Sequence, residues 1–159
     1  KFDKLTHSLI DQYDQFTPQD VADKYTAQGK ADQMPHVKGA FTIGENIGDL
    51  GGVNISLKAY ALSLGAQNDS DEELTRALDS APVIDGFTGV QRFFLSYASI
   101  WRSVIRVEMA EQYLQIDPHS PAEFRVNGIV RNVDRFYDAF DVHEGDAMYL
   151  APDQRVHIW

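Results

Sequence analysis

Between Ile43 and Leu64 the apolar residues Ile47, Leu50, Val53, Leu57, Tyr60, Ala61 and Leu64 recur every three or four positions. That spacing lines one face of a single long helix. Glycines at 44, 48, 51 and 52 interrupt the same stretch. Each costs a helix interior about 1 kcal/mol relative to Ala, so the pattern implies a neighbour that approaches too closely for side chains. Gly65 supplies a C-terminal stop.

The flanking segments read the same way. Apolar residues at 2, 5, 9, 10 and 13 form one stripe and predict a helix over 2–15. Thr17-Pro18-Gln19-Asp20 offers a capping residue before a proline at the first helical position. Gly29, Asp32, Pro35 and Gly39 then break the chain into an irregular connection. The strongest periodicity covers 88–116, with Val90, Phe93, Phe94, Tyr97, Ile100, Trp101, Val104 and Ile105 inward and Arg102 and Arg106 one turn apart. Asp117-Pro118-His119-Ser120-Pro121 ends it, and Ser120 is expected to cap a helix over 121–131 with Glu123 in its first turn. A last helix is expected over 133–140, and the acidic stretch Asn68–Glu73 reads as a solvated linker or helix start. The apolar tail through Val156, Ile158 and Trp159 should pack down. With no repeat and little hairpin signal, the expected class is mainly α, one unit over 1–159.

Composition narrows the function. The formal charge is −10, from 24 acidic against 14 basic residues, which speaks against a basic face for nucleic acid. No apolar run approaches the roughly 20 residues of a membrane-spanning helix, so no membrane segment is expected in this stretch. With no cysteine, disulfides, thiolate catalysis and cysteine-ligated zinc are excluded, and a reducing compartment fits.

The chemistry centres on Gly44-Glu45-Asn46-Ile47-Gly48-Asp49. Glu45 and Asp49 stand four residues apart, on one helix face with Cβ atoms about 5–6 Å from each other. Such a pair is ordinarily a solvated acidic face. Here Ile47, Leu50 and the glycines crowd it, and no base follows until Lys58, so a metal or a histidine from a facing helix would be needed to offset a buried pair. Zinc would suit Glu45 as an oxygen ligand, with Asp49 orienting a ligand imidazole. Among His7, His36, His119, His143 and His157 no pair has H-x-x-x-H spacing, so this chain does not complete a zinc-protease site by known spacing. His119, in a turn between prolines, and Arg125 six residues on would together stabilise an oxyanion and hold a carbonyl.

The segments Gly44–Gly52, His36-Val37-Lys38-Gly39, Phe93–Ala98 with Ile100-Trp101, and His119-Ser120-Pro121-Ala122-Glu123-Phe124-Arg125 occur in one order over about 120 residues. In that order they resemble the neprilysin-type zinc metallopeptidases, whose E-N-I-A-D and H-S-P-x-x-F-R stretches they match. The resemblance implies the helical C-terminal part of a thermolysin-like (zincin) catalytic domain, hydrolysing peptides with zinc-activated water. It implies that Glu45 is the third zinc ligand and that Asp49 hydrogen-bonds a zinc-binding histidine. It further implies that His119 stabilises the transition state, that Arg125 grips a substrate carbonyl, and that Ile100 and Trp101 line the pocket beyond the scissile bond. Gly48 stands where the family has Ala, and the absence of the mammalian cysteines points to a bacterial member, with a cytoplasmic location fitting better than secretion. The family's H-E-x-x-H helix is expected upstream of Lys1, so the chain alone should carry one ligand of three and be inactive. Glu45 and Asp49 would then face water and bind zinc weakly. Surfaces that meet the rest of the domain would be exposed, apolar and open to self-association. Two other readings are a stand-alone helical interaction module, which has no need of His119 and Arg125, and a carboxylate-only enzyme using Glu45 and Asp49, for which no partner cleft is evident.

Overall fold

A computed structural model describes residues 2–158. The chain runs α1 (Phe2–Tyr13), α2 (Gln19–Ala27), α3 (Gly39–Ser63), α4 (Asp71–Asp79), α5 (Gly89–Ile100), α6 (Val107–Ile116), α7 (Ala122–Val130) and α8 (Asp134–Phe140), with short 3-10 turns at Ala31–Gln33 and Pro152–Gln154. Extended pairing among the described residues is limited to one isolated bridge between Ile84 and Phe87. The mainly α expectation holds. None of these helices, α3 included, is long and apolar enough to cross a membrane.

Helix α3 is the axis. Its Leu50, Val53 and Leu57 meet Leu9 and Tyr13 of α1, Phe94 of α5, Phe124, Ile129 and Val130 of α7, and Val156 of the tail in one core. Each such aliphatic side chain contributes roughly 1.5–3 kcal/mol by leaving water. Ala61 with Ala66, Leu74, Ala77 and Leu78 forms a smaller cluster between α3 and α4. Two buried polar groups join the layers. The Tyr13 hydroxyl donates to the Phe124 carbonyl at 2.9 Å. The Asn132 side chain accepts from Val156 N at 2.8 Å and donates to Gln12 Oε1 at 2.8 Å, clasping the tail to α1. Val156 is therefore packed down as expected, while Trp159 lies outside the described residues.

Several local expectations are overturned. The run over 88–116 is two helices, because the chain leaves α5 at Trp101 and stays irregular to Arg106. Val104 and Ile105 preserve the apolar count but are β-branched, which disfavours a helix. Val104 is fully exposed rather than inward, Ile100 is largely exposed and Ile105 nearly half exposed, and Arg102 and Arg106 share no helix face. The acidic stretch at 68–73 instead bears out the second of its two readings, a helix start, with Ser70 as the N-cap of α4 accepting from Glu73 N. Thr17 does not cap α2, since its hydroxyl donates to the Pro35 carbonyl at 3.0 Å instead. Ser120 does not cap α7 either, because its hydroxyl is committed to Asn46 at 2.7 Å.

The glycine expectation is corrected at three of its four positions, Gly51 being buried. Cβ atoms added at Gly44, Gly48 and Gly52 would meet nothing within 4 Å. These positions share an exposed face with Phe41, Ile55 and Leu62. Close approach occurs instead at the first residue of α3. Gly39 N donates to Asp14 Oδ1 at 2.6 Å, and a Cβ there would clash with the Ile10 carbonyl oxygen. Gly65 does stop α3, with φ +96° and the paired bonds Gly65 N to Leu62 O and Ala66 N to Ala61 O, both 3.1 Å, of a glycine C-cap.

Two measurements check this packing. By urea unfolding, Gly52→Ala should stabilise the chain by about 1 kcal/mol, whereas Gly39→Ala should destabilise it by roughly 1–3 kcal/mol through overpacking. The Arg76 guanidinium and the Gln67 N–H hold the Glu73 carboxyl down to about 2. A depressed carboxylate stabilises the fold above its ordinary value of about 4.3 and loses that contribution as pH falls towards 2. Glu73→Gln should therefore flatten the acid limb of the stability curve while leaving the chain folded at neutral pH.

Candidate functional site

The helical spacing of Glu45 and Asp49 places them one turn apart on α3, but their surroundings differ. Asp49 is engaged by Arg125 of α7 in a two-pronged ion pair, Nε to Oδ2 at 2.7 Å and Nη2 to Oδ1 at 2.8 Å. Only 12% of the Asp49 side chain and 15% of the Arg125 side chain remain exposed. The Glu45 side chain is 47% exposed. The expectation that both carboxylates face water holds for Glu45 and fails for Asp49, because α7 brings in a cation from 76 residues along the chain.

Arg125 is fixed on every side. Its guanidinium carbon lies 4.0 Å from the Trp101 ring centroid, a cation–π contact, and its own carbonyl accepts from the Tyr97 hydroxyl at 2.6 Å. The Asp49 hydrogen bonds raise the Arg125 pKa further above its ordinary value, against partial desolvation. Burial, and then the Asp49 charge, push the Tyr97 hydroxyl up. Asp49 and Arg125 thus form one tightly packed, two-pronged ion pair.

His119 reaches the same place from the turn before α7. Its Nε2 is 3.4 Å from Glu45 Oε2, and Arg125 Nη2 is 3.6 Å from the same oxygen. The other ring nitrogen, Nδ1, lies 2.7 Å from Asp117 Oδ1, which also accepts from His119 N at 2.9 Å. That backbone bond, opposed by some desolvation, holds the Asp117 carboxyl below its ordinary value. Asp117 is a site residue that the sequence reading passed over, although Asp-Pro-His is the local pattern by which an Asp orients a residue two positions on. His36 stays away, its Nδ1 on the Thr17 hydroxyl at 2.9 Å.

Two cavities open beside these groups. One, of about 580 Å³, is lined by Trp101, Val104, Ile105, Tyr113, His119 and Arg125. The other, of about 570 Å³, lies over Gly48, Asp49, Gly52, Tyr60, Phe93 and Ile100. Ile100 and Trp101, expected to line one pocket, face different ones because α5 ends between them. Among the described residues no group of three or more His, Asp or Glu is placed to hold a metal ion. Glu45 fits as one oxygen donor, half-exposed and unpaired by any hydrogen bond shorter than its contacts to His119 and Arg125.

The ion pair makes a direct prediction. Asp49→Asn removes the charge opposite a mostly buried guanidinium and one of its two acceptors. It should cost about 1.5–3 kcal/mol in urea unfolding, whereas Glu45→Gln, at the half-exposed neighbour, should change stability by less than about 0.5 kcal/mol.

The model of peptidase family M13 matches residues 1–156. The chain is 38% identical over 124 residues to human membrane metallo-endopeptidase-like 1, covering 78% of this chain and 14% of that protein. It is 35% identical over 121 residues to neutral endopeptidase of Lactococcus lactis subsp. cremoris, covering 76% and 16%. In structure it is similar to Mycobacterium tuberculosis zinc metalloprotease Zmp1 in complex with inhibitor, with TM-score 0.83 and 52% identity over 99% of this chain and 21% of that one. A second likeness is to PepO from Lactobacillus rhamnosis, with TM-score 0.69, 30% identity and coverage of 99% and 20%. The chain therefore spans about a seventh to a fifth of the length of these relatives.

Proposed function

The chain belongs to peptidase family M13, and from that premise we propose that it forms the helical C-terminal part of a zinc metalloendopeptidase catalytic domain acting on peptides. The observation that carries this reading is the convergence of His119 Nε2 and Arg125 Nη2 on Glu45 Oε2, at 3.4 and 3.6 Å, from two separate elements. The similarity to a solved zinc metalloprotease over 99% of this chain supports it.

In this reading Glu45 holds the metal through its half-exposed carboxylate. The remainder of the domain supplies an H-E-x-x-H helix, with two imidazole ligands and the general base, against the uncovered face of α3. Bound zinc contributes Lewis-acid chemistry, polarising the scissile carbonyl and acidifying water. Asp49, held rigid by Arg125, keeps lone pairs free on both oxygens to accept the N–H of a ligand imidazole. Arg125 spends two of its five N–H groups on Asp49 and has the others to hold a substrate carbonyl. His119 Nδ1 donates to Asp117, so its Nε2 donates to an oxyanion in the imidazolium form. That places a fixed donor where negative charge develops. Ile100 and Trp101 would contact apolar substrate side chains from either side of Arg125.

The test separates the chain from the complete enzyme. In the complete enzyme, Glu45→Ala should abolish both zinc binding, read by metal analysis, and peptide hydrolysis. The 159-residue chain titrated with zinc by calorimetry should show no submicromolar site and cleave no peptide. A tight one-to-one site in the chain alone overturns the reading, as does a Glu45→Ala enzyme that keeps its zinc.

A further inference from the structure

Asn46 and Ser120 take no part in the chemistry described so far, yet they occupy the most enclosed position near it. Asn46 is fully buried, and Ser120 and Thr42 nearly so. The Ser120 hydroxyl donates to Asn46 Oδ1 at 2.7 Å, and Asn46 Nδ2 donates to Thr42 Oγ1 at 2.9 Å. The Thr42 hydroxyl hydrogen points to the Lys38 and Gly39 carbonyls, both at 3.5 Å, leaving its lone pair for the amide. The amide orientation follows, with Oδ1 towards the turn.

Their chain neighbours make this arrangement matter. Glu45 and Asn46 are consecutive on α3, and His119 and Ser120 are consecutive in the turn. The outer two side chains face each other across 3.4 Å at a half-exposed surface. The inner two are hydrogen-bonded in the core. Ser120 is the one buried residue in the segment 117–121, so the turn has no other buried grip on α3. The outer contact is too solvated to hold it, since exposed ion pairs contribute little.

We infer that Asn46 and Ser120 are positioning residues, whose buried hydrogen bond sets the separation and facing of Glu45 and His119. The inference rests on the metallopeptidase reading for the roles of Glu45 and His119. The bond itself is a property of the fold. Losing it leaves Asn46 Oδ1 buried without a donor, a state that native interiors avoid. The turn gains freedom just where an oxyanion donor must be held within a fraction of an ångström.

The experiment compares Ser120→Ala and Thr42→Val with wild type in the complete enzyme. Tyr137→Phe serves as a control for buried hydrogen bonding far from the site, since the Tyr137 hydroxyl donates to Arg131 O at 2.7 Å and accepts from Leu150 N at 2.9 Å. Ser120→Ala should lower kcat about tenfold to a hundredfold, with KM within about twofold and one zinc per chain retained. Thr42→Val, which removes only the far end of the relay, should fall between Ser120→Ala and wild type. Tyr137→Phe should lower thermal stability but leave kcat unchanged. Hydrogen–deuterium exchange of the metal-free enzyme gives a readout independent of activity: the 117–121 segment should exchange faster in Ser120→Ala and as wild type in Tyr137→Phe. Wild-type kcat and exchange in Ser120→Ala overturn the inference, as does a loss confined to KM or matched by Tyr137→Phe. A wild-type enzyme without zinc or peptidase activity overturns the functional reading instead, and the exchange comparison still decides the tether.

Discussion

The ion pair between Asp49 and Arg125 constrains the rest of the structure more than any single apolar contact. Two charges with about seven-eighths of their side-chain surface removed from water lose a large hydration energy, which a single hydrogen bond does not offset. The two-pronged geometry, the Trp101 ring against the guanidinium and the Tyr97 hydroxyl on the Arg125 carbonyl together make the arrangement tolerable. Each requires a particular element in place: α3 for Asp49, α7 for Arg125, and the end of α5 for Tyr97 and Trp101. Because α5 stops at the residue that stacks on Arg125, the end of that helix and the position of α7 are linked.

Seen from that pair, the two faces of α3 have different histories. The inner face carries Leu50, Val53 and Leu57 into the common core and Asn46 into a polar relay. The outer face carries Phe41, Gly44, Gly48, Gly52, Ile55 and Leu62, all exposed, with Glu45 and Lys58 the charges near them. Gly51 is buried, but the glycines at 44, 48 and 52 have open space instead of the close neighbour the pattern implied. Their cost in helix propensity is not recovered by packing within this chain.

The sequence made the helices legible where the 3.6-residue period and a stop signal agreed, as over α1, α3, α7 and α8. It misled over 88–116, because Val104 and Ile105 continue an apolar count that cannot distinguish a helix from an exposed loop. It undercalled α4, whose nine residues bury only Leu74, Ala77 and Leu78, too short a stripe to stand out. At the site, the i, i+4 spacing made Glu45 and Asp49 readable as a pair, and resemblance brought in His119 and Arg125. What spacing could not carry was tertiary distance. No local pattern says that the cation for Asp49 lies 76 residues away. Ser120 fits the pattern of a helix cap, Ser before Pro and Glu, yet the buried acceptor on Asn46 is the better partner for its hydroxyl.

The inward turn of the Ser120 hydroxyl shapes how the site is built. A cap hydroxyl serves backbone groups of its own helix and leaves the helix free to sit anywhere. The same hydroxyl turned inward ties two elements to each other, and it does so one residue from His119. Asp117 acts on the other side of that histidine, fixing its ring by Nδ1 and its backbone by N. His119 is thus held from both directions along the chain, by the partly exposed Asp117 carboxylate two residues before and, through Ser120 one residue after, by the buried Asn46 amide. The side chain itself is left half-exposed and free at Nε2 apart from the Glu45 contact. Rigid support beneath and an unfilled face above is the arrangement that electrostatic stabilisation of a developing charge requires. In this chain it arises from adjacent residue pairs on α3 and the turn, the inner members packing in the core and the outer members facing each other at a half-exposed surface.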